Sequence, residues 1–332
     1  MPEVLRSVGI VGLGAAAGED LLTNSDLEKI VDTSDEWIRT RTGISTRHIS
    51  RPETATSDLA YRAAVEALSD AGLTGADLDL IIVGTVTPDM LFPSTACLLQ
   101  TRLGAAHAGA FDLNAACSGF IYSLATGAQF VATGMYDTVL VVGAETLSKI
   151  TDYTDRATCV LFGDGAGAAI LRPVAKGEGI LSTILGADGS GGDLLMQPAG
   201  GSRRPASHET VDQRLHYIHM NGSDVFKFAV KVMGEAADAA LEKAGLRRSD
   251  VSFLVPHQAN RRIIDAAAKR LGLSEDRVVV NIGEYGNMSS ASVPVALHEA
   301  VRSGRIRRGD VVLLVAFGAG LTWASVAMRW CQ

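Results

Sequence analysis

The sequence predicts an α/β protein made of two copies of one domain, each a mostly parallel sheet with helices on both faces. Two observations predict this fold class. Residues 67–73 (ALSDAGL) recur as residues 240–246 (ALEKAGL), 173 positions later along the chain. Aliphatic runs such as residues 80–83 and 311–315 have no polar alternation. Runs of this kind are typical of strands that are buried on both faces.

The repeat extends beyond this first match. Within each copy a helical pattern ends at a glycine, Gly72 or Gly245, which suits a helix C-terminal cap. The same offset relates the strand 139–142 to the strand 312–315, and Asn114 to Asn287. An offset close to half of the 332 residues indicates a duplicated domain rather than a solenoid. We place the two halves at residues 1–172 and 173–332.

Composition narrows the class of protein. The chain is 47% hydrophobic and 20% charged, which is typical of globular proteins and excludes intrinsic disorder. Its formal net charge of −7 argues against a nucleic-acid partner, because such proteins carry basic surfaces. The uncharged stretch 113–136 contains Asn, Gln, Ser and Gly residues, so it predicts a helix buried in protein rather than in a membrane.

The four cysteines, Cys97, Cys117, Cys159 and Cys331, stand far apart and form no CxxC pair. This spacing indicates neither a zinc site nor a disulfide framework, so we expect a reducing, cytoplasmic location. Residues 7–18 resemble a short signal peptide, but three glycines interrupt the run. Residues 189–219 are rich in Gly, Ser, Pro and charge, and predict a surface loop that borders the functional site.

Each half places small residues where a strand passes into a helix, at 114–119 and at 286–290. The offset aligns Cys117 with Ser290. A helix N-terminus stabilises negative charge, so a cysteine there is expected to have a lowered thiol pKa and to act as a nucleophile. The alternative is that Cys117 is only a small buried residue, which is the commonest role of a free cysteine.

His257 and Asn287 occupy comparable corners in the second half. His257 follows a predicted strand, and Asn287 precedes a predicted helix. The alternatives are a structural histidine and a helix cap. A cysteine that accepts an acyl group, together with two neutral hydrogen-bond donors, is suited to thioester chemistry. The donors can polarise a thioester carbonyl so that the adjacent carbon loses CO₂.

Three other motifs predict no further site. Residues 12–17 fit a dinucleotide-binding GxGxxA pattern but lack the following strand that ends in an acidic residue. His216 and His219 have no third ligand nearby in the sequence, so we expect no metal. The glycine-rich residues 162–168 have no lysine after them, and we expect close backbone packing there rather than a phosphate loop.

Nearly the whole chain resembles the β-ketoacyl-acyl-carrier-protein synthase III family, condensing enzymes of the thiolase superfamily. The resemblance rests on residues 32–38 (DTSDEWI), 41–44 (RTGI), 92–94 (FPS), 116–120 (ACSGF), 155–156 (DR), 162–167 (FGDGAG), 257–260 (HQAN), 285–287 (YGN) and 317–320 (FGAG). It implies the thiolase-like five-layered α/β/α/β/α fold and a homodimer. It also implies that no cofactor takes part beyond a coenzyme A thioester, which is a substrate.

The resemblance further implies roles for individual residues. Cys117 would accept the acyl group, His257 and Asn287 would promote decarboxylation, and the backbone N–H groups of Cys117 and Ala319 would form an oxyanion hole. Residues implied to bind coenzyme A or substrate are Trp37, Arg41, Arg156, Gly222, Phe226 and Asn260. Phe92 resembles the residue that reaches across the dimer into the acyl pocket. Lys227 and Arg262 would dock the acidic acyl carrier protein.

The resemblance therefore implies a decarboxylating Claisen condensation of an acyl-coenzyme A with malonyl-acyl carrier protein, the first step of fatty-acid synthesis. One alternative keeps the fold but makes the enzyme a specialised starter ketosynthase or acyltransferase of polyketide metabolism. The other is a nicotinamide-dependent oxidoreductase. Phe92 favours a short acyl group, although the sequence does not specify the chain length.

Overall fold

The computed structural model describes residues 5–332, so residues 1–4 of the predicted first half lie outside the described residues. The strands are β1 Val8–Ala17, β2 Asp20–Thr23, β3 Thr46–Ile49, β4 Leu80–Gly84, β5 Gly109–Leu113, β6 Val139–Thr146, β7 Asp164–Pro173, β8 Gly179–Ala187, β9 Leu195–Met196, β10 His219–Met220, β11 Phe253–Pro256, β12 Val311–Gly318 and β13 Thr322–Arg329. The helices are α1 Asn24–Leu27, α2 Asp35–Thr42, α3 Thr56–Ala71, α4 Thr95–Arg102, α5 Gly119–Ala132, α6 Arg156–Cys159, α7 His208–Asp212, α8 Gly222–Ala244, α9 Arg261–Leu271, α10 Ile282–Tyr285 and α11 Ser292–Arg302. Short 3₁₀ turns at Ala116–Ser118 and Ser289–Ala291 lead directly into α5 and α11.

Two sheets carry the fold. The first has the strand order β1-β7-β6-β4-β5, and the second has the order β11-β12-β13-β8. In each sheet the pairs nearest one edge are parallel and the remaining pairs are antiparallel. The prediction of mostly parallel sheets was therefore wrong. Unbroken aliphatic runs report burial on both faces, and an antiparallel strand between two helical layers meets the same condition.

Helices separate and cover the sheets to give five layers. Helices α5 and α11 lie between the two sheets, and their side chains share one core with residues of both. Helix α3 covers the outer face of the first sheet, and α8 covers the outer face of the second, with α9 against α8. The layer order is α/β/α/β/α, as the resemblance implied.

Helix ends follow the sequence signals. Gly72 and Gly245 both cap their helices in the left-handed region at φ 66°, as the repeat predicted. Nine of the 14 residues of helix α5 are buried, which confirms that the uncharged stretch 113–136 contains a buried helix. Within residues 5–332, no helix is long and apolar enough to cross a membrane.

The GxGxxA pattern lies inside strand β1, which pairs with β7 along most of its length. A Cβ atom at Gly14 would stand 2.1 Å from the carbonyl oxygen of Ala63, and one at Gly12 would stand 2.4 Å from that of Ala67. These glycines therefore let β1 and α3 approach closely. A strand in this position cannot supply the strand-to-helix turn that binds a dinucleotide phosphate.

Residues 189–219 are more ordered than the sequence suggested. They contain a 3₁₀ turn at Gly189–Leu194, helix α7 and the short antiparallel pair β9–β10. Arg214 fastens this segment to the body of the protein through a bidentate ion pair with Asp152. The isolated two-residue strands carry too little periodicity to be read from the sequence.

Candidate active site

Cys117 lies at the corner where the first sheet passes into the central helical layer. The chain leaves β5 at Leu113, turns at Ala116 with φ 49°, and enters α5 at Gly119. A residue other than glycine rarely adopts a positive φ, so Ala116 marks a tightly constrained turn. The cysteine that follows it is 8% exposed and faces a cavity.

The cavity has a volume of about 380 Å³. Its wall is largely apolar, as a site for an acyl chain requires. The lining comes from both halves of the chain and includes Val86, Asn114, Ala116, Cys117, Leu147, Ile150, Phe162, Leu195, Met196, Gln197, Ile218, Ser289, Ala319 and Gly320. Four of these residues belong to the segment 189–219, which borders the site as predicted.

The thiol of Cys117 does not have the lowered pKa that its helix-terminal position predicted. Burial raises the pKa of Cys117 to about 12, and the neighbouring Glu145 carboxyl adds to this rise, while interaction with the Ser289 hydroxyl acts against it. A thiolate in this position would lose most of its hydration. The free cysteine is therefore a neutral thiol near pH 7, and its proton must be removed when it attacks a thioester.

His257 follows the last residue of β11. Its backbone N–H donates to the carbonyl oxygen of Val315 at 2.7 Å, which fixes the histidine at the carboxyl end of the second sheet. The ring is 1% exposed and lies edge-on to Phe317, with 5.6 Å between ring centroids. Burial lowers the pKa of His257 to about 3, so the imidazole is neutral. Neither ring nitrogen has a partner within residues 5–332.

Asn287 sits in the loop between α10 and the 3₁₀ turn Ser289–Ala291. The prediction that a strand leads into residues 286–290 was therefore wrong, because the short helix α10 precedes them. Its backbone N–H donates to Leu161 at 2.9 Å, and its carbonyl oxygen accepts from Gly163 at 3.0 Å. The side-chain Oδ1 accepts the backbone N–H of Ser289 at 2.8 Å. Oδ1 is thus occupied, whereas Nδ2 has no acceptor among the described residues and is available as a donor.

These corners meet because the backbone approaches itself closely. A Cβ atom at Gly318, the last residue of β12, would lie 2.6 Å from the backbone nitrogen of Cys117. Gly318 therefore joins Cys117 to Phe317, against which the ring of His257 packs. Asn287 is connected to this region by Ser289, whose backbone N–H donates to the Asn287 side chain and which lines the cavity beside Cys117. The cavity wall includes Cys117 and Ala319, whereas His257 and Asn287 are buried and are not among its lining residues.

Two residues that support these corners were not predicted from the sequence. Gln258 is fully buried and accepts the N–H groups of Asn281 and Ile282 while its amide donates to Val279. It thereby ties the loop that leads to Asn287 to the strand end that carries His257. The sequence feature that could have identified Gln258 is its position directly after His257 in the motif 257–260.

Glu145 is the second missed residue. It is fully buried at the end of β6, and the hydroxyl of Ser289 donates to its Oε1 at 3.0 Å. The signal was an acidic residue inside the otherwise apolar run 139–147. Buried carboxyls are rare unless they are bonded to partners, so such a residue calls for a structural or chemical explanation.

The predicted coenzyme A residues form a cluster at the surface. The guanidinium groups of Arg41 and Arg156 lie 4.8 Å and 5.0 Å from the centre of the Trp37 ring. Asn260 donates from Nδ2 to the carbonyl oxygen of Arg41 at 2.9 Å and caps α9 by accepting the N–H of Arg262. Asn260 therefore fixes the position of Arg41 rather than facing the cavity.

The remaining predicted residues lie on the surface. Gly222 is the first residue of α8. Phe226 lies on the same helix, and the guanidinium group of Arg262 stacks over its ring, 5.0 Å from the ring centre. Lys227 pairs with Asp224 at 2.9 Å. Phe92 is 84% exposed and does not line the cavity of its own chain.

The described residues contain no group of three or more His, Cys, Asp or Glu side chains that could hold a metal ion. His216 instead shares a hydrogen bond with the Thr210 hydroxyl at 2.9 Å. The arrangement around Cys117 combines a thiol, a neutral imidazole, an amide donor and an apolar cavity. These groups can form an acyl thioester and stabilise an enolate oxygen.

Family models match two parts of the chain. Residues 111–189 match the model described as 3-oxoacyl-[acyl-carrier-protein (ACP)] synthase III, and residues 241–330 match the model of its C-terminal part. The first segment contains Cys117 and Glu145, and the second contains His257 and Asn287.

Full-length similarities agree with these models. The chain is 61% identical to the β-ketoacyl-[acyl-carrier-protein] synthase III of Symbiobacterium thermophilum, covering 98% of this chain and 99% of that protein. The crystal structure of the 3-oxoacyl-[acyl-carrier-protein] synthase III from Aquifex aeolicus superimposes with a TM-score of 0.90 at 48% identity, covering 97% and 100% of the two chains. The priming β-ketosynthase of the R1128 polyketide pathway superimposes with a TM-score of 0.92 at 38% identity, covering 100% and 98%.

Proposed function

The chain belongs to the 3-oxoacyl-[acyl-carrier-protein] synthase III family, and we propose that Cys117, His257 and Asn287 carry out its condensation of an acyl-coenzyme A with malonyl-acyl carrier protein. The enzyme is an acyltransferase that initiates fatty-acid synthesis. The observation that supports the assignment of residues is the close approach of the segments that carry them. Gly318, which follows the Phe317 ring packed on His257, reaches the backbone of Cys117, and Asn287 holds Ser289 in the cavity wall beside Cys117.

In the first half-reaction the sulfur of Cys117 attacks the thioester carbonyl of the acyl-coenzyme A. A bond forms between the sulfur and the acyl carbon, and the bond from that carbon to the coenzyme A sulfur breaks. The apolar cavity next to Cys117 receives the acyl chain. The backbone N–H groups of Cys117 and Ala319 hold the oxygen that becomes negative during the attack, as is usual in acyl transfer.

In the second half-reaction malonyl-acyl carrier protein takes the place of coenzyme A. Nε2 of the neutral His257 and Nδ2 of Asn287 donate hydrogen bonds to the malonyl thioester oxygen. The two donors stabilise the enolate that remains when CO₂ leaves, and its carbon attacks the acyl group on Cys117. Within residues 5–332 neither Nε2 of His257 nor Nδ2 of Asn287 has a hydrogen-bond partner, which supports this role because both groups are then free to bind the substrate.

Trp37, Arg41 and Arg156 bind the adenine end of coenzyme A in this proposal. A flat aromatic ring beside two guanidinium groups suits a planar base that is attached to phosphates. Asn260 serves this site by holding the backbone of Arg41. Gly222 and Phe226, at the beginning of α8, lie along the proposed path of the substrate arm.

Lys227 and Arg262 dock the acyl carrier protein. Both are exposed cations next to Phe226, at the beginnings of two neighbouring helices, α8 and α9. Because the chain as a whole carries a net charge of −7, a local basic surface is needed to attract an acidic partner.

We propose that the enzyme is a homodimer. Strand β5 forms an edge of the first sheet and exposes Phe111, and Met90, Leu91 and Phe92 form an exposed apolar loop close by in the chain. Unpaired edge strands and exposed apolar clusters are features that subunit contacts cover. In a dimer of this kind Phe92 reaches the acyl cavity of the other subunit. We place the enzyme in the cytoplasm, where its free cysteines stay reduced.

Priming of polyketide synthesis is the second candidate function, and the likeness to the R1128 ketosynthase favours it. Both functions use the same chemistry and differ in the acyl group that is accepted. Comparing turnover with acetyl-, isobutyryl- and longer acyl-coenzyme A in the presence of malonyl-acyl carrier protein separates them.

Intact-protein mass spectrometry after mixing with acetyl-coenzyme A tests the proposal. We expect an increase of about 42 Da, one acetyl group in place of a hydrogen. The adduct should be absent from Cys117→Ala and present in Cys159→Ala, a matched control because Cys159 is also buried. An adduct that persists in Cys117→Ala contradicts the assignment.

A further inference from the structure

The neutral thiol of Cys117 needs a group that takes its proton during acylation. His257 is a poor candidate, because burial lowers its pKa to about 3. A buried carboxyl that the mechanism has not yet used, Glu145, lies near Cys117 and accepts a hydrogen bond from the hydroxyl of Ser289, which lines the cavity beside the thiol. Among the described residues, Glu145 takes part in no salt bridge.

The surroundings of Glu145 are made of hydrogen-bond donors. The backbone N–H of Val86 donates to its Oε2 at 3.1 Å, the hydroxyl of Thr87 donates at 2.6 Å, and that of Thr85 lies at 3.3 Å. Each hydroxyl oxygen also accepts a backbone N–H, from Thr146 for Thr87 and from Thr87 for Thr85. Their hydrogens are therefore directed at the carboxyl group. Such a ring of donors is suited to a carboxylate.

Ser289 connects this carboxyl to the nucleophile. Its hydroxyl donates to Oε1 of Glu145 at 3.0 Å, which leaves the lone pairs of the hydroxyl oxygen for another donor. Ser289 lines the same cavity as Cys117, and its hydroxyl lowers the pKa of the thiol against the effect of burial. Its backbone is held by the bond from its N–H to Oδ1 of Asn287. Ser289 therefore bonds directly to the carboxyl group of Glu145 and shares the cavity wall with the thiol.

We propose that Ser289 and Glu145 relay the thiol proton during acylation, with Ser289 positioned between Cys117 and the buried carboxylate. This inference rests on the proposed function. As the sulfur bonds to the acyl carbon, its proton passes to the Ser289 oxygen, and the hydroxyl proton of Ser289 passes to Glu145. The bond to the coenzyme A sulfur then breaks, and the departing thiolate takes a proton back through Ser289, so Glu145 ends as a carboxylate.

The acidity of Glu145 suits such a relay. Burial raises the pKa of Glu145 to about 7, against the lowering effect of the donors around it. A general base works best when its pKa lies near the working pH. The groups that face it are the hydroxyls of Thr85, Thr87 and Ser289, the N–H of Val86, and the thiol of Cys117 as a titratable neighbour. Acylation should therefore accelerate as the pH rises through about 7.

A merely structural role has to be separated from this relay, because the bond from Glu145 to Ser289 also joins β6 to the second half of the chain. Glu145→Gln preserves the shape but not the ability to accept a proton. In this variant the amide oxygen of the glutamine takes the place of Oε2, where three donors point at it, and the amide NH₂ group takes the place of Oε1 beside Ser289. Glu145→Asp keeps the charge on a shorter side chain. Glu299→Gln is the matched control, since Glu299 is a partly buried carboxyl bonded to Asn281 and Tyr285 outside the cavity.

The experiment measures two rates between pH 5.5 and 9. Single-turnover acylation by acetyl-coenzyme A is followed by rapid quench and intact mass, and CO₂ release from malonyl-coenzyme A is followed separately. We expect Glu145→Gln and Ser289→Ala to slow acylation about 100-fold or more, a typical contribution of general acid–base catalysis. In Glu145→Gln the rise near pH 7 should disappear, while CO₂ release changes by less than about threefold. Glu145→Asp should recover part of the acylation rate, and Glu299→Gln should match the wild type.

Two results would overturn the relay. One is acylation by Glu145→Gln within about threefold of the wild-type rate, with an unchanged pH profile. The other is an equal loss of acylation and CO₂ release together with a lowered unfolding temperature, which identifies Glu145 as structural. A wild-type enzyme that forms no acyl adduct would instead refute the proposed function itself.

Discussion

Ala116 and Ser289 stand 173 positions apart and share the same rare backbone conformation, with φ 49° and 46°. Each is the first residue of a 3₁₀ turn that leads into a central helix. The repeat read from the sequence therefore preserves a strained turn as well as helices and strands. In each copy this turn sets the residue after it, Cys117 or Ser290, at the helix entrance.

A β-branched side chain should not fit the turn before the nucleophile. We expect Ala116→Val to lower the free energy of unfolding by about 1 kcal/mol more than Ala115→Val, because a β-branched side chain at positive φ is a steric outlier, whereas the Cβ of alanine is already accommodated there. Ala115 and Ala116 are equally buried, at 6% and 7%, but Ala115 has φ −141°, so overpacking is matched between the two variants. Urea unfolding measures both, and equal losses contradict the argument.

Gly318 should tolerate no side chain. A Cβ atom there would lie 2.6 Å from the backbone nitrogen of Cys117 and 3.1 Å from the Cβ of Ala116. We expect Gly318→Ala to slow acylation of Cys117 about 100-fold, because misplacing a nucleophile by about 1 Å has an effect of that size. Gly189→Ala is the control, since it has no atom within 4 Å of the added Cβ. Normal acylation by Gly318→Ala would show that the two segments can separate at little cost.

The buried neutral imidazole should make stability depend on pH. Burial lowers the pKa of His257 from 6.5 to about 3. Between these values the unfolded chain binds a proton that the folded chain does not, so this group removes stability as the pH falls below 6.5, with a limiting slope of about 1.4 kcal/mol per pH unit. His257→Gln should lose less stability than the wild type over this range in urea unfolding.

Glu145 changes the free energy of unfolding with pH in the opposite direction to His257. Its pKa rises from 4.5 to about 7, so between these values the folded chain binds the extra proton and stability falls as the pH rises. Both the wild type and His257→Gln contain Glu145, so its contribution cancels in their difference. A difference that stays constant from pH 6.5 to 5 would show that His257 is hydrated in solution.

The surface cluster at Trp37 should open when coenzyme A binds. Arg41 and Arg156 already lie over the Trp37 ring, so an adenine can stack on this ring only after a guanidinium group moves. We expect coenzyme A to change the fluorescence of Trp37. We also expect Arg156→Ala to raise KM for acyl-coenzyme A about 5- to 30-fold with little effect on kcat, the loss of one cation–π contact of about 1–2 kcal/mol. Arg172→Ala, on the end of β7, is the control, and an unchanged KM in Arg156→Ala contradicts the assignment.

Much of this architecture could be predicted because the repeat fixes equivalent positions. The offset that pairs Gly72 with Gly245 predicted both helix ends and aligned Cys117 with Ser290. Strand direction was not predictable from the same runs, because continuous aliphatic residues report burial and not the course of the connections. The short pair β9–β10 was missed because two residues cannot display a period.

The electrostatics of the site were less predictable than its residues. The position of Cys117 at a helix end predicted a lowered thiol pKa. Its burial depends in part on the close approach of Gly318, which lies in the second half of the chain and outside any local window of the sequence. Glu145 is surrounded by Thr85, Val86 and Thr87, about 60 positions earlier, and by Ser289 much later. Only the folded chain brings these donors together. In the sequence, Glu145 was therefore visible only as one acidic residue in an otherwise apolar run.

The central layer, in which α5 and α11 share one core between the two sheets, makes each half dependent on the other. A polypeptide with one copy alone would present the apolar side of its helix to water and would have to self-associate to hide it. Joining both copies in one molecule removes that requirement and lets equivalent positions diverge. Sulfur can then occupy one helix entrance and a hydroxyl the other, an asymmetry that an assembly of identical single copies could not have.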